Sequence, residues 1–171
     1  MNSAGRRLLG LCLPPLLICA LDCGLTLRGQ SAAYWAGRYE IVDEASPTFH
    51  HLLQVHPAAF VAGMAGWAAS FVVIILLLPD ALALITSIAV TIGHMVGATS
   101  WLRFRFQASY QTCNLLFAVC SILLGLGIYY GWRGRPTEPY RLGGLSLVVR
   151  WAIALSLVAI AVYLFLWPRE P

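Results

Sequence analysis

Polar side chains that could do chemistry lie inside otherwise apolar stretches of the sequence, among them Asp22, His94 and Asn114. A carboxylate at the centre of a membrane helix costs roughly 2.5–3.5 kcal/mol, so it normally faces a partner or a polar cavity. Two interpretations of Asp22 stay open: a proton or metal site, and a neutral carboxyl hydrogen-bonded to a neighbouring helix. His94 offers the same choice, because imidazole binds metals and protons but also joins helices. Asn114 is typical of an interhelical hydrogen bond.

The other candidates lie in the polar loop 29–57, whose acids and histidines have the composition of a metal-ligand set: Asp43, Glu44, His50, His51 and His56. His51 and His56 are five residues apart, outside the spacing that places two ligands on one helical face. Surface solvation is therefore the alternative for this set. A divalent metal would be the cofactor of a site here. The catalytic candidates are Asp22, Glu44 and His94, and the metal candidates are Asp22, His50, His51, His56 and His94.

Several function classes find no support in the sequence. It has no H-E-x-x-H or G-x-S-x-G motif and no glycine loop for a phosphate, and whether the protein is an enzyme stays undecided. The net charge of +4 comes from arginines, mostly at the edges of apolar runs. That placement favours headgroup anchoring over nucleic-acid binding, which we do not expect. The five cysteines lie inside apolar runs and are typical of helix contacts.

Composition predicts that lipid surrounds the chain. Only 11% of the residues are charged and 60% are hydrophobic, whereas a soluble domain carries about 25% charged residues. A hydrocarbon core about 30 Å thick takes about 20 apolar residues as helix. The sequence therefore predicts an all-α, polytopic transmembrane bundle, one domain over 1–171, with five spans: 8–27, 58–78, 81–101, 109–131 and 145–167. Four spans remain if the first is a cleaved signal or if the hairpin at Pro79-Asp80 is miscounted.

Prolines mark the predicted helix boundaries. Pro14-Pro15 predicts a kink in the first span, and Pro57 predicts the start of the second. Ser46 and Pro47 predict an N-cap and first helical position for a short interfacial helix that runs toward the second span.

Alternation of the spans predicts which polar groups lie at similar depth. The polar loop, the end of the third span and the start of the fourth share one side of the membrane. Asp22 lies about 9 Å below Arg28, His94 about 10 Å below Trp101, and Asn114 about 7 Å below Ser109, at the helical rise of 1.5 Å per residue. We therefore expect these three polar side chains at one level, on the side of the polar loop.

Asp22 and Thr26 late in the first helix, followed by Glu44-Ala45-Ser46-Pro47 in the loop, resemble a family of small uncharacterised prokaryotic multi-helix membrane proteins. That family carries Asp-x-x-x-Thr in a helix and a Glu-x-Asn-Pro-like loop; here Ser46 replaces the Asn, and the match covers about the first third of the chain. The resemblance implies a multi-helix bundle in which Asp22, Glu44 and Pro47 form one unit. It implies no activity.

Two functional hypotheses follow. The first is a non-enzymatic helical bundle that binds a membrane-protein partner or another copy of itself through small-x-x-x-small seams, at Ala62-x-x-x-Gly66, Gly93-x-x-x-Gly97 and Gly127-x-x-x-Gly131. The second is an intramembrane enzyme or a metal or proton site that uses Asp22, Glu44, His56 and His94. It requires those four side chains to converge, because metal–ligand bonds are about 2 Å long. The arginine distribution barely favours a cytoplasmic N-terminus, which we nevertheless expect.

Overall fold

The computed structural model describes residue 5 and residues 8–132, and every regular element in this part of the chain is a helix. We number the helices in chain order: α1 (Leu8–Gly29), α2 (Ala32–Trp35), α3 (Pro47–Val55), α4 (Pro57–Leu77), α5 (Asp80–Arg105) and α6 (Tyr110–Trp132). The all-α fold predicted from composition is confirmed. The predicted fifth span, 145–167, lies outside the described residues.

Four of these helices, α1, α4, α5 and α6, are long and apolar enough to cross a membrane. They correspond to the first four predicted spans. Three of them match the predicted bounds closely, but α5 continues beyond the predicted end at residue 101, because its last turn, Trp101–Arg105, is π-helical. The break predicted at Pro79-Asp80 is confirmed: α4 ends at Leu77 and α5 begins at Asp80.

Helix α1 packs against all three other long helices, most extensively against α5. Its first turn, Leu8–Cys12, is π-helical, and the α-helical part begins at Leu13 with Pro14 and Pro15 in the opening turn. At the site of the predicted kink, the helix therefore has a π-helical turn just before the two prolines. The physical reason is that proline has no N–H with which to bond the carbonyl four residues earlier.

The two carbonyls that the prolines leave free, those of Gly10 and Leu11, both face neighbouring helices. The buried Ser87 hydroxyl of α5 donates to the Leu11 carbonyl at 2.7 Å. The Gly10 carbonyl lies where a β-carbon of Gly127 in α6 would stand, so only glycine permits that approach. The Pro14-Pro15 pair therefore contributes to packing, because it frees the Leu11 carbonyl to accept from α5, while the Gly10 carbonyl packs closely against α6.

Residues 30–56 form a folded segment that contains α2 and α3, which we call the cap. The side chain of Gln30 bonds both backbone groups of Asp43: its Nε2 donates to the carbonyl at 2.8 Å, and its Oε1 accepts from the N–H at 3.0 Å. The fully buried Tyr34 donates its hydroxyl to the Leu53 carbonyl at 3.0 Å. Gln30 thus ties the beginning of the cap to its middle, and Tyr34 ties it to α3 near its end.

Both proline-marked helix starts in this region are confirmed, since α3 begins at Pro47 and α4 at Pro57. The prediction that the Ser46 side chain caps α3 is wrong, because Ser46 makes no side-chain cap. Instead its backbone N–H donates to Glu44 Oε1 at 2.7 Å. The Glu44 carboxylate, two residues earlier, thus satisfies a donor beside the start of α3. His56 ends α3 and caps α4, where its Nδ1 accepts from the Ala58 N–H at 3.1 Å.

Candidate functional site

Three of the four long apolar helices meet at one chain of polar contacts. His94 of α5 lies between Asp22 of α1 and Trp67 of α4: its Nδ1 is 2.8 Å from Asp22 Oδ2, and its Nε2 is 3.0 Å from the indole nitrogen of Trp67. We call Asp22, Trp67 and His94 the polar clamp. It joins three helices from different parts of the chain. Because Asp22 and His94 are in direct contact, the prediction that they lie at one depth is confirmed.

The indole of Trp67 decides the protonation pattern of the clamp. An indole N–H can only donate, so the Nε2 atom of His94 must accept and carries no proton. A neutral imidazole then bears its proton on Nδ1, and this proton points at Asp22 Oδ2. The geometry therefore selects the Nδ1–H form of His94, with the Asp22 carboxyl as acceptor.

Gly97, one turn beyond His94 on α5, provides the space for the Asp22 carboxyl group. A β-carbon at residue 97 would stand 2.7 Å from each of the two carboxyl oxygens. In contrast, a β-carbon at Gly93 would meet nothing within 4 Å. Within the chain, the close approach predicted from Gly93-x-x-x-Gly97 therefore occurs at Gly97, which faces α1, and not at Gly93.

The clamp lies largely away from solvent, since the His94 and Asp22 side chains are only 10% and 16% exposed. Two thiols of α1 also lie near the Asp22 carboxyl, the buried Cys19 and the half-buried Cys23. A hydrogen bond between largely buried polar groups gains strength from the low local dielectric, and losing one partner leaves the other unsatisfied. Displacement of any one of the three helices would therefore leave a polar group of the clamp without its hydrogen bond.

The charge of Asp22 in the clamp acts on Glu44 in the cap. Burial of its side chain raises the pKa of Glu44 above the ordinary value, the N–H groups of Ser46 and Ala45 lower it, and repulsion from the nearby Asp22 adds to the increase. Glu44 and Pro47 flank Ser46 at the start of α3. The Asp22 charge thus reaches Glu44, and Pro47, three residues after Glu44, begins α3.

The loop histidines do not converge on Asp22 and His94. His50 Nδ1 lies 3.1 Å from the Glu44 carbonyl oxygen, His51 is exposed, and His56 caps α4 with its ring edge-on to Tyr39. His56 is eleven residues from Trp67, which is about 16 Å along α4 at the helical rise of 1.5 Å per residue. The convergence required by the second hypothesis is therefore incomplete: Asp22 and His94 meet and the Asp22 charge reaches Glu44, but His56 lies at the start of α4, about three turns from Trp67.

Two other polar candidates lie apart from the clamp. Asp43 takes part in the cap through its backbone, to which Gln30 binds. Asn114 is exposed on α6. Within residues 8–132, no three side chains of His, Cys, Asp or Glu are grouped so that they could hold a metal ion. The arrangement can donate, accept and store a proton, and the roles of the single candidate residues in catalysis or metal binding stay predictions.

Sequence reasoning missed the residues that complete the site. Trp67 carries no motif, and its indole reaches His94 only because α4 packs beside α5. No motif marked the roles of Gln30 and Tyr34 either, which are both buried and hydrogen-bonded within the cap. In contrast, the sequence contained a signal for the hydrogen bond of Ser87. Pro15 leaves the Leu11 carbonyl without its helical donor, so a donor from another helix is expected there.

The fold and the site define a class of protein: an α-helical bundle with four apolar helices compatible with a multi-pass membrane protein, held by one buried polar clamp. No family model matches the chain, and no curated protein or solved structure matches it either. The resemblance to the small prokaryotic membrane family stays a prediction.

Proposed function

We propose that this chain is a non-enzymatic integral membrane protein whose polar clamp fixes the arrangement of three spans, and that it acts by associating with a second copy of itself. The single observation that carries the proposal is that both ring nitrogens of His94 are engaged by side chains from two other helices. An imidazole engaged in this way has no free nitrogen with which to bind a substrate or a metal. Its contribution is to hold α1, α4 and α5 together.

The surface for association is the outward face of α4. Two of the three small-x-x-x-small patterns are engaged within the chain, Gly97 by Asp22 and Gly127 by Gly10 and Pro14. The third has Gly66 with nothing within 4 Å. Five exposed small residues follow this face at helical spacing: Ala58, Ala62, Ala65, Gly66 and Ala69. Small residues let two helix backbones approach closely, which is what drives association in lipid.

The clamp fixes the rotation of α4 and so defines which residues face outward. Trp67 points inward to His94, while its neighbours Ala65 and Gly66 are exposed. Phe60, Met64 and Phe71, on the inward side with Trp67, are buried. A helix held on one face by a hydrogen bond and aromatic packing presents its other face in a constant orientation, as a dimer seam requires.

The test is the oligomeric state of the purified chain in mild detergent, measured by sedimentation and by energy transfer between labelled copies. Gly66→Leu should weaken the dimer at least about tenfold, which corresponds to about 1.4 kcal/mol. Gly24→Leu is the matched control, because Gly24 is also exposed, helical and free of neighbours within 4 Å. Equal dimerisation of both variants, or a monomeric wild type, would contradict self-association through α4.

A second candidate function is reversible proton binding at the clamp. Two observations favour this function. Two titratable groups, Asp22 and His94, are in contact, and the charge of Asp22 acts on Glu44 in the cap. A second proton on His94 would occupy Nε2 and displace the Trp67 N–H. Trp67 fluorescence, taken as the difference between wild type and Trp67→Phe, should then change with pH in wild type and remain constant in His94→Gln.

We further propose that the N-terminus lies in the cytoplasm, which would place the cap on the opposite side. Cysteine labelling in intact cells tests this orientation. A cysteine introduced in place of the exposed Ala36 of the cap should react with a membrane-impermeant reagent before lysis, and a reaction only after lysis would reverse the orientation.

A further inference from the structure

The end of α5 combines exposed arginines with an exposed aromatic ring. The π-helical turn Trp101–Arg105 carries Arg103 and Arg105, both exposed, on either side of Phe104, which is 78% exposed. A short segment leads from there to Tyr110, which is 71% exposed. No acidic residue occurs between 101 and 110. The turn is therefore a local concentration of positive charge and apolar surface.

Hydrogen bonds hold this turn in shape, so the exposure of Phe104 is built into the fold. The Phe106 N–H donates to the Trp101 carbonyl at 3.1 Å, and the Gln107 side chain donates to the Phe104 carbonyl at 3.0 Å. Gln107 itself adopts a left-handed conformation, with φ of 52°, where the helix ends. The Arg103 guanidinium donates one N–H to the Ala108 carbonyl at 3.3 Å and keeps its other donors for an external acceptor.

The turn is also fixed to helix α1. The ring of Trp101 lies where a β-carbon of Gly29 would stand, so the two helices touch at this point. The exposed Arg28 directly precedes that contact. A third guanidinium therefore lies at the same end of the bundle as Arg103 and Arg105.

The length of α5 places the turn at the headgroups. The span Asp80–Arg105 has 26 residues, which is about 39 Å of helix at 1.5 Å per residue. The hydrocarbon core is about 30 Å thick, and the whole bilayer is about 40–45 Å thick. If Asp80 lies at one edge of the hydrocarbon, the last turn of α5 lies about 9 Å beyond the other edge, at the level of the lipid phosphates, where Phe104 can reach the upper acyl chains.

We propose that the Arg103–Phe104–Arg105 turn, with Arg28 beside it, is a binding site for the headgroup of an anionic phospholipid of the surrounding membrane. Guanidinium groups bind phosphate oxygens with two parallel hydrogen bonds, and nearby cationic side chains favour anionic over zwitterionic lipid. Phe104 supplies the apolar contact to the acyl chains, which a free phosphate ion would not use. This inference is independent of the proposed self-association.

The test is native mass spectrometry of the detergent-purified full chain, titrated with phosphatidylglycerol and separately with phosphatidylcholine. Arg103→Gln and Arg105→Gln should each weaken phosphatidylglycerol binding about fivefold and leave phosphatidylcholine binding unchanged. Arg38→Gln is the matched control: Arg38 is an exposed arginine of the cap, and its loss should change binding less than about twofold. All three side chains are exposed, so the variants should fold.

A further variant separates a lipid site from a phosphate site. Phe104→Ala should weaken the binding of phosphatidylglycerol. Inorganic phosphate should bind the arginines of this variant as well as it binds those of wild type. Equal binding of both lipids by wild type would overturn the proposal, and so would equal losses in Arg103→Gln, Arg105→Gln and Arg38→Gln. Unchanged lipid binding in Phe104→Ala, with phosphate competing fully, would show a free-anion site and would also overturn it.

Discussion

Gly97 of α5 lies directly against the carboxyl group of Asp22 in α1, so that a β-carbon at residue 97 would stand 2.7 Å from both oxygens. We expect Gly97→Ala to push Asp22 away from His94 and to lower the free energy of unfolding by about 1–3 kcal/mol, the usual cost of overpacking. Chemical unfolding in detergent, followed by circular dichroism, measures this change.

The matched control is Gly93→Ala, one helical turn earlier, where a β-carbon meets nothing within 4 Å. It should be neutral or should stabilise α5 by up to about 1 kcal/mol, because alanine is the better helix former. If both alanine variants had the same stability, the contact between Gly97 and Asp22 would not be important for the fold.

Trp67→Phe removes the indole N–H that His94 Nε2 accepts but keeps an aromatic ring on α4. Hydrogen bonds between membrane helices contribute about 0.6 kcal/mol on average and up to about 1.7 kcal/mol, and we expect a loss of unfolding free energy in this range. Nitrogen-15 spectra of the imidazole provide the direct check. Wild type should show the proton on Nδ1 alone, whereas a proton found on Nε2 would exclude the bond from Trp67.

The sequence was sufficient to predict the helical class and the first four spans, because bilayer length and proline position are local properties. It was also sufficient to single out Asp22 and His94 as polar groups at one depth. It could not identify Trp67 as their third partner, because the rotation of α4 depends on packing over its whole length. Nor could it separate Gly97 from Gly93, since both fit the same pattern and only the position of α1 distinguishes them.

Ser87→Ala tests the hydrogen bond between α5 and α1 that the prolines of α1 make possible. The Ser87 hydroxyl is the buried donor to the Leu11 carbonyl, which Pro15 leaves without its helical N–H. Its removal should cost about 1 kcal/mol of unfolding free energy, because a buried acceptor loses its partner. Ser70→Ala is the control: Ser70 bonds only the Gly66 carbonyl of its own helix, so its loss should stay within about 0.5 kcal/mol. Losses of equal size would contradict the role of the freed carbonyl.

Glu44 predicts a pH dependence of stability. Its raised pKa, caused first by burial, means that the folded chain holds this proton to higher pH than the unfolded chain. The free energy of unfolding should therefore fall as pH rises from the ordinary value for Glu, about 4.3, through the raised value. Glu44→Gln stays neutral and can still accept from the Ser46 N–H, so its stability should fall less. Parallel curves for wild type and Glu44→Gln would show that Glu44 is not the group responsible.

The charge of Asp22 adds to the raised pKa of Glu44, so Asp22→Asn should bring that pKa back toward its ordinary value. Carbon-13 titration of the Glu44 carboxyl in detergent measures it. A midpoint that does not move between wild type and Asp22→Asn would show that the charge of Asp22 in the clamp has no effect on Glu44 in the cap.

The central claim is that Asp22 and His94 stabilise the bundle through each other. A double-mutant cycle with Asp22→Ala, His94→Ala and the double variant, measured as unfolding free energies in one detergent, tests it most directly. Residues in direct contact show coupling energies of about 0.5–3 kcal/mol, and we expect a value above about 0.5 kcal/mol, with the double variant losing less than the sum of the single variants. Single losses that add to within about 0.3 kcal/mol would contradict the clamp.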